Sequence, residues 1–336
     1  MPNLTKIVVY NKELSEIPEP LILSTVEELS LGRSEDHESD PFYIPPTAFF
    51  RMERLRRLQL THLNLDQLRL AYLTNLTELK IVDGSDLGLA EDFICNLTNL
   101  ERLSLADMDT GVPRLTLASF ESAGMTFLNM SHSVLPQGFF PAKTRYNLTT
   151  YPLRNLVSLD LRGSMRDQPI PLESLRLDWM PDLEWLDIGA NSLYGWKQRL
   201  FANNSRVKYL FMDGNKGSLK LQVNIHKEGT YLHFYIYKIL QLPMVYDFRN
   251  VSILDLSDCQ FVCNKVVFDF YTMSLGKALG PGDQELVPPH IMGWDDGRGY
   301  SCYDDEAQKV VTFREYIAQA PGTDQGNNSV FCINMT

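Results

Sequence analysis

Thiols and amide nitrogens are the groups in this sequence whose spacing points to chemistry. The 336-residue chain has five cysteines, Cys95, Cys259, Cys263, Cys302 and Cys332. Four of them fall in the last quarter, which suits a local framework of two disulfide bridges. The same four thiols are also a conceivable zinc set, so the compartment decides between the two. Asparagines indicate the compartment. The N-linked sugar acceptor Asn-x-Ser/Thr occurs at Asn3, Asn75, Asn96, Asn129, Asn147, Asn203, Asn250, Asn327 and Asn334. A chain with 19 asparagines would carry about two or three such motifs by chance. This excess points to a glycosylated, extracellular chain, where disulfides persist and zinc is disfavoured. Cys95, in Phe93-Ile-Cys-Asn-Leu97, reads as a buried free thiol packing as a small hydrophobe.

Catalytic chemistry is not spelled out. The chain has no His-Glu-x-x-His, no Gly-x-Ser-x-Gly and no phosphate-binding glycine loop, and its six histidines are scattered. No enzyme, cofactor or metal is expected. The acidic run Glu35–Asp40 lacks the glycine and ligand spacing of a calcium loop and reads as solvated. A net charge of −11 argues against binding nucleic acid through its phosphates.

The elements that must carry these groups repeat along the chain. Val251-x-x-Leu254-x-Leu256-x-x-Cys259 is one unit of the pattern L-x-x-L-x-L-x-x-N/C, the leucine-rich repeat signature. Positions four and six lie two apart, so on a short extended segment their side chains share one side. One such unit cannot bury its own leucines, so several must stack. Further units begin at Val26, Leu55, Leu76, Leu100, Met125, Leu156, Leu183 and Val207. Start-to-start spacings are 29, 21, 24, 25, 31, 27, 24 and 44 residues. The expected fold is an α/β solenoid, a leucine-rich repeat horseshoe with short parallel strands on its concave face and a C-terminal disulfide cap. Residues 1–20 read as a degenerate or truncated N-terminal cap, 21–258 as repeats and 259–336 as the cysteine-containing cap. Pro136–Pro152 reads as a loop within the 31-residue spacing. Leu219–Ile225 and Tyr231–Tyr237 read as a β-hairpin within the 44-residue spacing. Gly280–His290 reads as a loop.

Position nine usually holds Asn, bonded to backbone of the neighbouring coil. Here Asn191 and Asn215 fit, and Cys259 takes the Cys alternative. Ser133 and Ser164 stand in the same column, so a weak ladder and irregular coil are expected. Solvent-facing positions of each core line the concave face. Arg56, Arg57, Gln59, Lys80 and Arg102 fall there as a modest basic patch, diluted by Glu78 and Glu101. Trp185, Tyr209 and Phe211 fall there as exposed aromatics, a better sign of a contact site. Asn129 falls there too, so its sugar would hinder protein docking and favour a lateral edge.

Leu254-Asp-Leu-Ser-Asp-Cys-Gln-Phe-Val-Cys263, then Tyr300-Ser-Cys302, Val310-Val-Thr-Phe313 and Cys332, resembles the C-terminal cap of Toll-like receptor ectodomains. With the repeats and acceptor motifs, the resemblance covers nearly the whole chain. Lys265 stands where the family's second Cys of C-x-C would follow Cys263, and Cys259 is the substitute. The resemblance implies that Cys259 and Cys263 each bond to one of Cys302 and Cys332, with the pairing open. It implies an innate-immune ectodomain that binds a protein or microbial ligand, pairs with a second receptor chain, and meets the membrane only through a further C-terminal segment. No apolar run is long enough to span a bilayer. Met1–Lys6 has no apolar run behind a basic start, so an export signal is expected upstream. The alternative is a secreted leucine-rich repeat protein used for adhesion or as a decoy.

Overall fold

A computed structural model describes residues 4–10, 25–32, 42–45, 48–64, 70, 72–82, 94, 96–108, 115–121, 124–141, 144–166, 170–194, 206–212 and 215, together with the backbone of five later strands. In chain order the strands are β1 (Lys6–Tyr10), β2 (Glu28–Gly32), β3 (Phe42–Tyr43), β4 (Arg57–Thr61), β5 (Leu63–Asn64), β6 (Glu78–Val82), β7 (Arg102–Ala106), β8 (Phe127–Asn129) and β9 (Ser158–Asp160). Then come β10 (Ile170–Pro171), β11 (Trp185–Asp187), β12 (Leu193–Tyr194), β13 (Tyr209–Phe211), β14 (Ile253–Asp255), β15 (Phe261–Val262), β16 (His290–Met292), β17 (Ser301–Asp304) and β18 (Lys309–Thr312).

Eleven of these form one sheet in the order β1-β2-β4-β6-β7-β8-β9-β11-β13-β14-β16, each pair parallel. Register follows the repeat: Leu29, Leu58, Leu79, Leu103, Leu128, Leu159, Leu186, Leu210 and Leu254 are lateral partners at position four. Positions one, four and six are buried in all eight units from Val26 to Met212. A leucine→alanine change at such a site costs about 2–5 kcal/mol in a core that cannot collapse around it.

The sheet runs further than the nine units at both ends. Ile7 pairs with Leu29 and Val9 with Leu31, so Leu4-x-x-Ile7-x-Val9 acts as one more repeat core inside the segment read as a cap. Ile7 and Val9 are only partly buried, as the end of a stack requires. Tyr10 crosses the flat spot made by Gly32, where an added Cβ would lie 2.5 Å from the tyrosine ring. At the other end His290–Met292, on the margin of the expected loop, pairs with β14.

The coils joining the strands are held by two recurring devices. The residue at position eight is left-handed at His62 (φ 53°), Asp107 (56°), His132 (55°), Gly163 (66°) and Ala190 (52°), which turns the chain off the sheet once per repeat. At Ser133, Asn191 and Asn215 the position-nine side chain then bonds coil to coil, whereas Ser164 donates only to the Leu161 carbonyl of its own coil. Asn191 accepts Met165 N–H at 2.7 Å and donates to the Leu161 carbonyl at 2.8 Å. Asn215 accepts Asn191 N–H at 3.1 Å and donates to the Ile188 carbonyl at 2.9 Å. Ser133 does the same work with one hydroxyl, accepting Met108 N–H at 3.0 Å and donating to the Leu105 carbonyl at 2.5 Å. The ladder is therefore stronger than the asparagine count suggests, because a serine reaches both partners.

The 31-residue spacing is not a free loop. Its turns bury Phe139, Phe140 and Tyr151. Phe139 meets Phe120 edge-on at 5.8 Å, and Tyr151 meets Trp179 at 5.5 Å. Tyr151 donates its hydroxyl to the Leu175 carbonyl at 3.3 Å, and burial pushes its phenol well above the usual range. Inserted length is thus absorbed as convex-side core. The expected hairpin around Leu219–Tyr237 and the acidic run Glu35–Asp40 lie outside the described residues.

Candidate functional site on the concave face

Two rows of side chains stand on the solvent side of the sheet. Position three runs Lys6, Glu28, Arg57, Glu78, Arg102, Phe127, Ser158, Trp185, Tyr209. Position five runs Val8, Ser30, Gln59, Lys80, Ser104, Asn129, Asp160, Asp187, Phe211. Parallel strands about 4.8 Å apart bring neighbours in a row into contact.

The first half of position three alternates in sign. Glu28 lies between Lys6 at 3.2 Å and Arg57, pairing with both. Glu78 meets Arg102 at 4.0 Å, and Arg102 also stands over the Phe127 ring at 4.1 Å. Gln59 donates to the Tyr10 hydroxyl at 3.0 Å. Arg57 and Arg102 are therefore engaged by their own neighbours. Arg56 and Lys80 remain exposed beside them. The sequence signal for this cancellation was the alternation of Glu28, Arg57, Glu78 and Arg102 at equivalent positions, which becomes visible once the units are aligned.

Beyond Arg102 the character changes. Trp185 and Tyr209 are register partners, and Phe211 stands two residues after Tyr209. The Trp185 and Phe211 rings lie 5.6 Å apart, tilted by 47°. Tyr209 is 39% exposed, and Val157 on the flank is also 39% exposed. The three aromatics picked out in the sequence are thus brought together on one surface, but only Tyr209 is exposed; Trp185 and Phe211 half-bury each other by stacking, against the expectation of three exposed rings. Phe127, Ser158 and Asp160 belong to the same surface. They stand at positions three and five of their units, so the rule that found Trp185 points to them as well.

Asp160 is the unusual group here. Its Oδ1 accepts Arg162 N–H at 3.0 Å, and burial raises its carboxyl above the ordinary range despite that bond and the nearby His132 and Arg162. Asp187 makes the same turn, accepting Gly189 N–H at 2.9 Å, and pairs with Arg162 at 3.6 Å. Asn129 makes it too, accepting Ser131 N–H at 2.9 Å. No described lysine or arginine forms an ion pair with Asp160. On the margin, Glu184 pairs with Lys208 at 3.0 Å and Asp182 with Arg206 at 2.7 Å.

The acceptor asparagines are spread over the surface. Asn75, Asn96 and Asn147 are exposed and lie off the strands, while Asn129 is half-buried within β8. Asn75 lines a polar groove of about 580 Å³ on the flank where chains enter the strands, with Glu53, Arg54, Thr77, Asn99 and Glu101. Asn3, Asn203, Asn250, Asn327 and Asn334 lie outside the described residues, as do Cys95, Cys259, Cys263 and Cys332. Cys302 falls on β17, where the backbone pairs with Phe261, midway in sequence between Cys259 and Cys263. Among the described residues no group of three His, Cys, Asp or Glu is placed to hold a metal ion, and no helix is long and apolar enough to cross a membrane.

This architecture, one parallel strand per coil with asparagine and serine bonding coil to coil, is that of a leucine-rich repeat solenoid. No family model matches the chain, and no curated protein matches it in sequence. Among solved structures it is similar to a leucine-rich repeat protein of Leptospira interrogans, with a TM-score of 0.50 and 16% identity over 82% of this chain. The chain spans 65% of that protein's length. It is also similar to an internalin of Listeria monocytogenes (TM-score 0.45, 17% identity, 86% of this chain and 82% of that one). A plant peptide hormone receptor gives a TM-score of 0.45 and 19% identity over 79% of this chain and 38% of its own. The likeness to the Leptospira protein shows the fold.

Proposed function

We propose that the chain is an extracellular recognition domain that binds a protein ligand on the second half of its concave face. The observation that carries this is the cluster of Trp185, Tyr209 and Phe211 on the solvent side of the sheet, with Tyr209 exposed and the other two rings half-buried beside it. Aromatic side chains on a preformed surface supply much of the binding energy of protein contacts. At the finer level we assign it to a receptor ectodomain similar to those of Toll-like receptors. That reading is supported by the cysteines at Cys259, Cys263, Cys302 and Cys332, by the acceptor motifs, and by the β15–β17 pairing that aligns Cys302 with the Cys259–Cys263 segment. In it residues 259–336 are a disulfide cap, the accessible acceptor asparagines carry sugar, and pairing with a second chain transmits the signal.

Peptide-display selection on the secreted domain tests the binding site. Sequences enriched on the natural protein should lose binding to a Trp185→Ala, Tyr209→Ala double variant; equal capture by both would remove the site from this face. The finer assignment is tested by sequencing the full transcript. A leader upstream with a membrane span and signalling domain downstream is the expected result. A leader followed by an early stop codon would make it a soluble binder instead.

A further inference from the structure

Ser158 is the small residue of position three on the second half of the concave face, and its size leaves a gap in that row. On position three this small residue stands between Phe127 on β8 and Trp185 on β11. Two strand spacings separate those rings at their backbone, about 9.5 Å. A planar or chain-like group held between two ring faces needs about 7–8 Å, twice an ordinary carbon–carbon contact. That backbone separation suits the width of one side chain. Asp160, next but one to Ser158 on the same strand, closes one end with a carboxylate that has no described ion-pair partner.

The molecule shows what suits such a wall. Arg102 holds its guanidinium 4.1 Å from the centre of the Phe127 ring, with the Glu78 carboxylate on its other side. A cation between an aromatic face and a carboxylate is thus already built two strands away. The gap at Ser158 offers a second ring and carboxylate, Trp185 and Asp160, beyond the Phe127 ring that Arg102 already uses, and no described cation stands over Trp185. Among the described residues Arg51, Arg102, Arg145 and Arg176 stand over rings, and those rings are Phe50, Phe127, Tyr146 and Trp179. Trp185, Tyr209 and Phe211 are not among them. Flanking carboxylates make ion pairs within the fold, Glu184 with Lys208, Asp182 with Arg206 and Asp187 with Arg162. Beside these three, Asp160 makes no described ion pair, and the charges of His132 and Arg162 act on it only from a distance.

We infer that the gap over Ser158, walled by Phe127 and Trp185 and ended by Asp160, receives an arginine or lysine side chain of the protein ligand. This rests on the concave face being the binding surface and names the chemistry that the surface selects. The cation would be desolvated between two rings and paired with a partly buried carboxylate, the setting in which ring–cation contacts are strongest. The neighbouring cluster of Trp185, Tyr209 and Phe211 would hold an apolar residue beside it.

The test uses the secreted domain and seven-residue peptides of alanine and serine with one central arginine. Companion peptides place lysine, citrulline or glutamate at the centre. Citrulline keeps the shape of arginine and removes its charge. Binding is read by ligand-observed magnetic resonance, and by tryptophan fluorescence as a second signal. The arginine peptide should bind saturably, at least about tenfold more tightly than the citrulline and glutamate peptides. Asp160→Asn should bring the arginine peptide to the citrulline level, and Arg57→Ala should change nothing. Thermal unfolding of each variant confirms that it folds, and the citrulline comparison needs no altered protein. Arginine and citrulline peptides binding equally, both losing affinity with Trp185→Ala, would overturn the cation while leaving the binding face in place. Indifference of every peptide to Trp185→Ala would overturn both. Lack of saturable binding by the arginine peptide would overturn this inference alone, the face itself being judged by the display selection.

Discussion

Along position three, Glu28 pairs with Lys6 and Arg57, and Arg102 meets both Glu78 and Phe127. Further along the same row, Ser158, Trp185 and Tyr209 meet no charge in their own row. The strands differ as well. β1, β2, β4, β6 and β7 are five residues long, whereas β8, β9, β11 and β13 are three. A local cause is visible in three of the short ones. Asn129, Asp160 and Asp187 each draw the N–H two residues on to their own side chain, which bends the chain away from extended geometry. Ser30, Gln59, Lys80 and Ser104 occupy the same position in the longer strands. One half of the face therefore satisfies its own charges on long strands. The other presents rings and a carboxylate on short ones, and such an unsatisfied surface is where a partner gains most.

The scaffold beneath the aromatic half should be the most sensitive point. Asn191→Ala would leave Met165 N–H without its partner in a buried coil and strip bonds from the Leu161 and Ile188 carbonyls. A loss of about 2–4 kcal/mol is expected from one to two unsatisfied buried groups. A urea unfolding midpoint measures it. Ser133→Ala, with fewer bonds at stake, should cost less, and an equal loss would mean that the ladder acts as one unit.

Next in size comes the surface itself. Trp185→Ala should weaken binding of a display-selected ligand by about 30-fold, a loss of about 2 kcal/mol. Arg57→Ala should change it less than about threefold, since its charge is already matched by Glu28. Reversal of these two effects, measured by surface binding, would move the site to the charged half.

Cutting the charge ladder should matter little. Glu28→Gln leaves Lys6 and Arg57 facing each other, and should cost at most about 1 kcal/mol, fading with added salt. A loss that persists in high salt would show that the pairs stiffen the end of the stack rather than merely balance it.

Smallest is the effect of Asp160. Its folded carboxyl is raised, so the folded state binds the proton more readily than the unfolded state does. Stability from this group therefore falls as pH rises from the ordinary carboxylate range through the raised folded value. Asp160→Asn should remove that slope and raise neutral-pH stability by a few tenths of a kcal/mol, about the scale of a small change at a half-buried site. The turn should survive, because Asn129 already makes it with an amide. Denaturation midpoints across acid to neutral pH decide this. A variant less stable at neutral pH would mean that Arg162 and His132 depend on the charge.

Much of this was legible in the residues. Val26, Leu29 and Leu31, and every later trio through Val207, Leu210 and Met212, are buried where the spacing puts them. Trp185, Tyr209 and Phe211 were legible as surface residues because they sit between those buried positions. The strand at Lys6–Tyr10 was also legible as Leu4-x-x-Ile7-x-Val9, although residues 1–20 read first as a degenerate cap because β-branched Ile and Val replace the leucines there. Ser133 as a working member of the ladder was not, since serine reaches its partners only where neighbouring coils come close enough. His290–Met292 was not either, because no leucine pattern surrounds it.

The sequence by itself determined which side of each strand is buried, because positions four and six share a face and apolar surface leaves water. It also determined the chemistry available, in its thiols, acceptor asparagines and rings. Only the tertiary structure decided who meets whom across the concave face. Neighbours there are 21–31 residues apart in the described repeats, and the differing lengths are taken up in the coils. Stacking the buried leucines into one register is what places Arg57 beside Glu28, Arg102 beside Phe127, and Ser158 between two rings.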